Sequence, residues 1–501
     1  MICLELAPVF WSILFILLLL LYKWNYSKPK KNLPPSPKKL PLIGNLHQLG
    51  PYPHRSLQSL SRHHGPLMLL HLGSVPVLVV STADAAREIM KTQDLIFSNR
   101  PKLRIPDKLL YSCKDVSFAP YGEYWRDVRS ICVLQLLSNK RVQSFRHVRE
   151  TETSLMIQKI KLQESSSVVN LSDVFSTLTN DIVCKAAFGR KYNNTNSNSD
   201  GQQQCFKVLL AEFVELLGRF SVGDYIPWLG WIDGINGLSR RVEKVAKEFD
   251  QFLEGVISEK KLDKDHKGSD FVDILIEIQK ESEDTSHPIE NDVIKALILD
   301  MFAAGTDTTS SALVWTMTEL LRHPNTLKNL QNEVKEVTAA GKEEITEDDL
   351  DKMHYLKAVI KESLRLHSPL PLLVPRESTE DTKVMGYEIA ARTQVIINAW
   401  AISRDPLLWE DPQEFKPERF LKTSIDFKGV HFELIPFGAG RRGCPGLMFA
   451  VAVIELALAK LVHKFNIGLP KGETEKDLDI SEVNGITVHK KHPLLVVINP
   501  R

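Results

Sequence analysis

Cysteine is scarce in this chain, and what there is does not pair. Its six cysteines, Cys3, Cys113, Cys132, Cys184, Cys205 and Cys444, show no spacing that would build a zinc site or a disulfide framework. A reducing, cytosol-facing domain is the expectation. Excess charge is missing too. Against 63 Lys and Arg stand 62 Asp and Glu, a formal net charge of +1, which gives no electrostatic reason to expect nucleic acid as a partner. The hydrophobic fraction of 43% and the charged fraction of 25% are those of a globular protein with a large core. The length of 501 residues allows two or three domains, or one large enzyme domain.

One long apolar run is present, at the N-terminus. From Leu6 to Tyr22 no residue is charged, about 17 residues and enough to span a thin bilayer. Lys23, Lys28, Lys30 and Lys31 follow it and only Glu5 precedes it, so the positive-inside rule places the N-terminus in the lumen and the remainder in the cytosol. A cleaved signal peptide is disfavoured, because there is no basic n-region and no clear small-residue cleavage site. Residues 1–23 are therefore read as a membrane anchor. Residues 24–42, with Pro29, Pro34, Pro35, Pro37 and Pro41, are read as a stiff, basic, extended hinge, and 43–501 as the globular domain.

The rest is mainly α with a minor β region. Leu67 to Leu72 and Val75 to Val80, joined by Gly73-Ser74, read as a β-hairpin, with Ser81 as N-cap of a helix through Met90. Arg100 to Pro120 has no period and reads as a loop; Tyr121 to Arg129 opens a helix with Trp125 and Arg129 on one face. Glu150 to Asp270 is amphipathic helix interrupted by polar loops at 193–204 and 260–270. Its aromatic stretch from Phe213 to Leu238, with Phe220, Tyr225, Trp228 and Trp231, reads as core or as an apolar lid that dips into membrane lipid. Asn291 to His323 forms one helix of roughly 50 Å, apolar all round in its first half and hence buried. Strand patterns fall at Gly386–Ile402 and Asn484–Val497.

The chemistry gathers in four places. Cys444 stands among Gly438, Gly440, Gly443 and Gly446, just before the apolar run Leu447 to Val462. With Pro445 at the first helical position, the sulfur would meet a helix N-terminus that favours a thiolate, the metal-binding form. In the long helix Met301, Ala304, Gly305 and Thr308 share a stripe nearly free of side chains, against which something flat can lie. Thr308 can bond back to the carbonyl of residue 304 and loosen the helix, and Asp307 is its acidic neighbour. Glu362, Arg365 and Arg419 could form a buried carboxylate bridging two guanidiniums.

Phe437, Gly440, Arg442, Cys444 and Gly446 together resemble the haem-ligand loop of the cytochrome P-450 superfamily. The Trp125-x-x-x-Arg129 helix, Ala304-Gly305-Thr306-Asp307-Thr308-Thr309, Glu362-x-x-Arg365 and Pro417-Glu418-Arg419-Phe420 match the same family in the same order. The plant microsomal group that contains menthofuran synthase and psoralen synthase is the most similar. Ser368 departs from the family's usual proline, which bears only on local loop shape.

The resemblance implies the cytochrome P-450 fold and a haem b (iron protoporphyrin IX) cofactor with Cys444 as the iron ligand. Trp125, Arg129, Arg376, Arg442, Phe437, Gly438 and Ala304 would contact the cofactor. Thr308 and Asp307 would assist dioxygen activation and proton delivery, and Glu362, Arg365 and Arg419 would form a structural triad. Leu297, Met301, Phe302, Ala303, Leu372, Val374 and Ile486 would line an apolar substrate pocket. The implied partner is an NADPH-cytochrome P-450 reductase on the endoplasmic reticulum membrane, since the chain has no nucleotide-binding unit of its own. The implied substrate is a small lipophilic plant metabolite, a terpenoid first and a coumarin or other phenolic second. Two rivals keep the fold: a dehydratase or isomerase that needs neither dioxygen nor the pair at 307–308, and a non-catalytic haem sensor that needs no substrate pocket.

Overall fold

The computed structural model describes residues 15–16, 32–162, 167–191, 200–262, 269–282, 288–338 and 343–501, with the backbone alone for 200–206. The anchor expected over 1–23 lies outside these except for 15–16, as does the first part of the hinge. Among the described residues no helix is long and apolar enough to cross a membrane.

The hairpin forms where the two apolar runs about Gly73-Ser74 placed it. Strands β1 (Leu67–Leu72) and β2 (Val75–Val80) pair antiparallel from Leu67↔Val80 to Leu72↔Val75. Gly73 turns the chain at φ +58, and a Cβ there would meet Tyr225 O at 2.3 Å, so the aromatic stretch of the 220s is seated on this turn. Helix 83–92 follows, but Ser81 does not cap it. Thr82 occupies the N-cap position, because the backbone N–H of Ser81 still belongs to the sheet edge and donates to Pro66 O. Residues 100–120 are not all loop: Arg104–Leu109 is a short helix, and Pro106 is tolerated there because it falls in the first turn.

Six helices matter for the site. They are α1 (Glu123–Ser130), α2 (Leu171–Phe188), α3 (Asn291–Phe302), α4 (Thr308–Arg322), α5 (His354–Leu366) and α6 (Leu447–Lys464). Between α3 and α4 the five residues Ala303–Asp307 form a π-helical turn, so the long helix is continuous in direction but locally widened. Leu297, Ile298, Leu313 and Met317 of α3 and α4 share one large core with Leu178 of α2 and Leu458 of α6. Strands β3 (Arg376–Glu377) and β4 (Gln394–Ile397) complete the first sheet in the order β1-β2-β4-β3. The β2–β4 pairing is parallel and spans the helical bulk. The strand pattern over 386–402 ends early, as Ala399–Ile402 turns helical with Asn398 as its cap. The short pair β5 (Glu482–Val483) and β6 (His489–Lys490) lies against α4.

Candidate active site

The loop before α6 is shaped by glycine. Gly438 and Gly440 both have φ +67, and a Cβ on Gly440 would meet Met90 O at 2.1 Å, so a side chain there is excluded both by conformation and by space. The N–H of Cys444 donates to Phe437 O at 2.9 Å, which closes the loop. The spacing of Gly438, Gly440 and Gly443 also fits a dinucleotide-binding turn. The run enters from irregular chain rather than a strand, so it is not one.

Pro445 is not the first helical residue. The helix starts at Leu447 with Gly446 as its N-cap, so Cys444 stands just ahead of the first turn. Its sulfur is exposed only into a large cavity, which it lines. Burial pushes the thiol pKa up, opposed by the N–H groups of Gly446 and Leu447 and by Arg129. Main-chain donors thus favour the thiolate without outweighing desolvation; a metal cation against the sulfur does.

The cavity brings together residues from distant parts of the chain. Cys444, Phe437, Gly438, Trp125, Arg129, Arg376, Arg442, Met301, Ala303, Ala304, Thr308, Val374 and Ile486 all line it. Three expected pocket residues do not. Leu297 is buried in the core, Phe302 is turned away to stack on Phe188 at 4.8 Å between centroids, and Leu372 packs against the hairpin. Phe302 stands a hundred-degree step off the stripe through 301, 304 and 308, whereas Leu297 falls on the line of that stripe and packs into the core one turn earlier. Asp307 also stands off the cavity. Thr308 Oγ1 donates to Ala304 O at 2.5 Å, beside the π turn.

The charges on one wall are unusual. Arg100, Arg129, Arg376 and Arg442 line the cavity, and among the described residues none has an acidic side chain within ion-pair distance. They donate to main-chain carbonyls instead. Arg100 reaches Ser117, Val374 and Pro375, and Arg129 reaches Gly443. Arg376 reaches Ala439, and Arg442 reaches Ser98, Val116 and Ala119. The Trp125 indole N–H likewise goes to Val116 O at 3.0 Å, under the Arg442 guanidinium. Burial lowers the pKa of Arg376 to about 10, and burial with Arg376 lowers that of Arg442 to about 9. Four clustered cations without a counter-anion are costly unless an anion joins them. A flat ligand with two carboxylates and a metal to set on Cys444 fits this donor set, and iron protoporphyrin IX has both. Arg100 escaped the sequence reading because it opens a stretch without periodicity.

A buried acid pair backs the 115–118 segment whose carbonyls Arg100 and Arg442 bond. Asp300 accepts from Val116 N–H and Ser117 Oγ, both at 2.7 Å, which ties the 115–118 segment to α3. Burial raises its pKa to about 6, and burial together with Asp300 raises that of Asp115 well above the carboxylate range. A raised pKa means that the folded state holds the proton longer than the unfolded one. The stabilisation is complete below pH about 4 and is lost as pH rises through about 6. Thermal melts between pH 4 and 7 should show this fall in the parent protein and a flatter profile in Asp115→Asn.

Fold and cavity fit one class, a haem protein whose cofactor would lie in a cavity lined by Cys444 and by the widened turn of the long helix. The comparisons agree. The sequence profile described as Cytochrome P450 matches residues 34–497, and the chain belongs to that family. It is 58% identical to Cytochrome P450 736A117 of Prunus mume, over 99% of this chain and 96% of that protein. It is 55% identical to (+)-menthofuran synthase of Mentha piperita, over 98% and 99% respectively. A zebrafish cytochrome P450 solved with abiraterone superposes with a TM-score of 0.76 at 25% identity, covering 90% of this chain and all of that one. The protein is a haem-thiolate monooxygenase with haem b as cofactor.

Proposed function

We propose that this enzyme oxidises a small lipophilic plant metabolite, a terpenoid in the first place and a coumarin or other phenolic in the second. Electrons come from NADPH through a membrane-bound reductase. The observation that carries the reading is one cavity with a thiol at its floor, four unpaired guanidiniums at its side and Thr308 beside a widened helix turn above. Mostly apolar side chains, among them Leu110, Phe118, Val374 and Ile486, face the remaining space and suit an apolar substrate. The likeness to menthofuran synthase of mint favours the terpenoid.

When bound, the haem supplies dioxygen reduction and oxygen insertion, favoured by a thiolate ligand. The chain's own residues do the rest. Cys444 would supply the sulfur that ligates the iron, and Arg100, Arg129, Arg376 and Arg442 would hold the carboxylates of the bound group. The side chains of Met301, Ala303 and Val374 orient the substrate and exclude water. Thr308 presents a hydroxyl to the oxygen gap, and Asp307 passes protons towards it. The residues 1–23 anchor the enzyme in the endoplasmic reticulum membrane. The aromatic lid, with Phe220, Trp228, Trp231 and Ile235 all exposed, rests on the same lipid surface.

The test couples the membrane-bound protein to a reductase and NADPH and screens plant terpenoids and coumarins for products heavier by one oxygen. Product formed without NADPH would restore the dehydratase or isomerase reading. Thr308→Ala should keep NADPH consumption within a few-fold of the parent and divert most of it to peroxide. General acid–base assistance of this kind is worth about 10²–10⁴-fold. Peroxide released per NADPH oxidised measures it.

A further inference from the structure

His489 stands outside every motif that marked the family in the sequence. Its Nε2 lies 3.1 Å from Asp307 Oδ2, across 182 positions of chain. The placement is rigid. Val488 O, next in sequence, accepts from Ser311 Oγ at 3.0 Å and from Trp315 Nε1 at 3.3 Å, one and two helical turns beyond Asp307 on α4. On the other side, Ile486 and Thr487 line the cavity. The segment 486–489 therefore runs from the cavity wall outwards, and His489 is its water-exposed end, with 38% of its side chain accessible against 22% for Asp307.

Asp307 itself does not line the cavity, whereas Thr308 does. On its side away from the cavity the Asp307 carboxylate is held by the imidazole of His489, the more accessible of the two side chains. Few other charges compete for His489. Val483 lies opposite it in the β5–β6 pair. Lys490 donates to His492 O, and Glu482 is engaged by His54 and Arg55. Burial by itself would lower the pKa of His489, yet the hydrogen bond and charge of Asp307 outweigh it and hold the imidazole pKa above its ordinary value.

We propose that His489 is the positioning and proton-feeding residue of this enzyme, relaying protons from solvent to Asp307; the inference rests on the proposed role of Asp307. In the step itself, the Nε2–H bond of the imidazolium breaks and an O–H bond forms on Asp307 Oδ2. The neutral ring then regains a proton from water and returns to the imidazolium. No electrons move in this step. The overall reaction takes up two electrons and two protons per dioxygen, releasing one oxygen atom as water and inserting the other.

The experiment uses the full-length haem protein with reductase and NADPH, and no added substrate, between pH 6 and 8.5. Peroxide released per NADPH is compared in the parent, Asp307→Asn, His489→Gln and His489→Phe, each checked for an intact thiolate-type carbon monoxide spectrum. His489→Gln keeps a hydrogen-bond donor to Asp307 but cannot carry a proton. It should raise the peroxide share at least about three-fold and flatten its pH dependence, a small part of what acid–base assistance supplies. A second readout needs no turnover: the pH midpoint for acylation of His489, followed by mass spectrometry. It should lie above the free imidazole value of about 6.5 in the parent and fall below it in Asp307→Asn, where only burial remains.

If Asp307→Asn leaves the peroxide share unchanged, the proposed relay is wrong and this inference goes with it. If Asp307→Asn raises the share while His489→Gln matches the parent at every pH, His489 alone is excluded. Normal behaviour of His489→Gln with failure of His489→Phe would reduce the histidine to a structural hydrogen bond and overturn the proposal.

Discussion

Cys444→Ser is expected to remove the thiolate-type carbon monoxide spectrum and bring monooxygenase activity down to background. The substitution is nearly isosteric, and the loop is held by main-chain bonds such as Cys444 N–H to Phe437 O, which serine retains. The sulfur faces a cavity rather than a packed core, so the polypeptide should lose no more than about 0.5–1 kcal/mol of stability. The effect is therefore chemical. A hydroxyl is neither acidic nor soft enough to replace a thiolate on iron, and the electron donation that favours O–O cleavage is lost with it. A reduced carbon monoxide difference spectrum and a turnover assay read the two losses. A variant that kept the thiolate-type spectrum would place the ligand elsewhere.

Glu362→Ala is expected to cost about 3–5 kcal/mol, because it strands a buried cation. Glu362 and Arg365 have fully buried side chains and meet through two bonds of 2.7 and 2.8 Å. The same carboxylate accepts from Lys416 N–H at 2.8 Å and from Arg419 Nε at 3.1 Å. Arg365 also reaches Ser403 O, Pro412 O and Glu414 O. One ion cluster thus fastens α5 to the 403–419 segment, which leads on to the cysteine loop. Against a total stability of 5–15 kcal/mol, the loss leaves little folded protein at growth temperature. Haem-loaded yield and the urea midpoint measure it. Arg365→Lys should also fail, since an ammonium lacks the planar fork that serves four acceptor groups at once.

Much of this was legible without coordinates. Two apolar runs about Gly73-Ser74 marked the hairpin, the all-round apolar pattern marked a buried α3, and the back-bond of Thr308 to residue 304 followed from side-chain chemistry. The errors share a cause. Ser81 and Pro445 fit helix starts by local propensity, and each start lies one or two residues later where the sheet edge or the cysteine loop imposes its own hydrogen bonds. Phe302 sits in the right segment on the wrong face, Leu297 on the right face a turn too early, and Leu372 packs on the hairpin. Which face of a helix meets a cavity depends on rotation about its axis, and neighbouring helices set that rotation.

The sequence by itself determined the family, the thiol at 444, the acid–alcohol pair at 307–308 and the Glu362–Arg365–Arg419 lock. Each is carried by short motifs whose chemistry needs particular side chains at particular spacings, the lock by two such motifs 57 residues apart. Only the tertiary structure decided that Arg100 joins three other guanidiniums on one wall, that Asp300 ties the 115–118 segment to α3, and that His489 stands behind Asp307. Such pairings join residues far apart in the chain. Periodicity and propensity fall silent at that range, and packing alone chooses the neighbours.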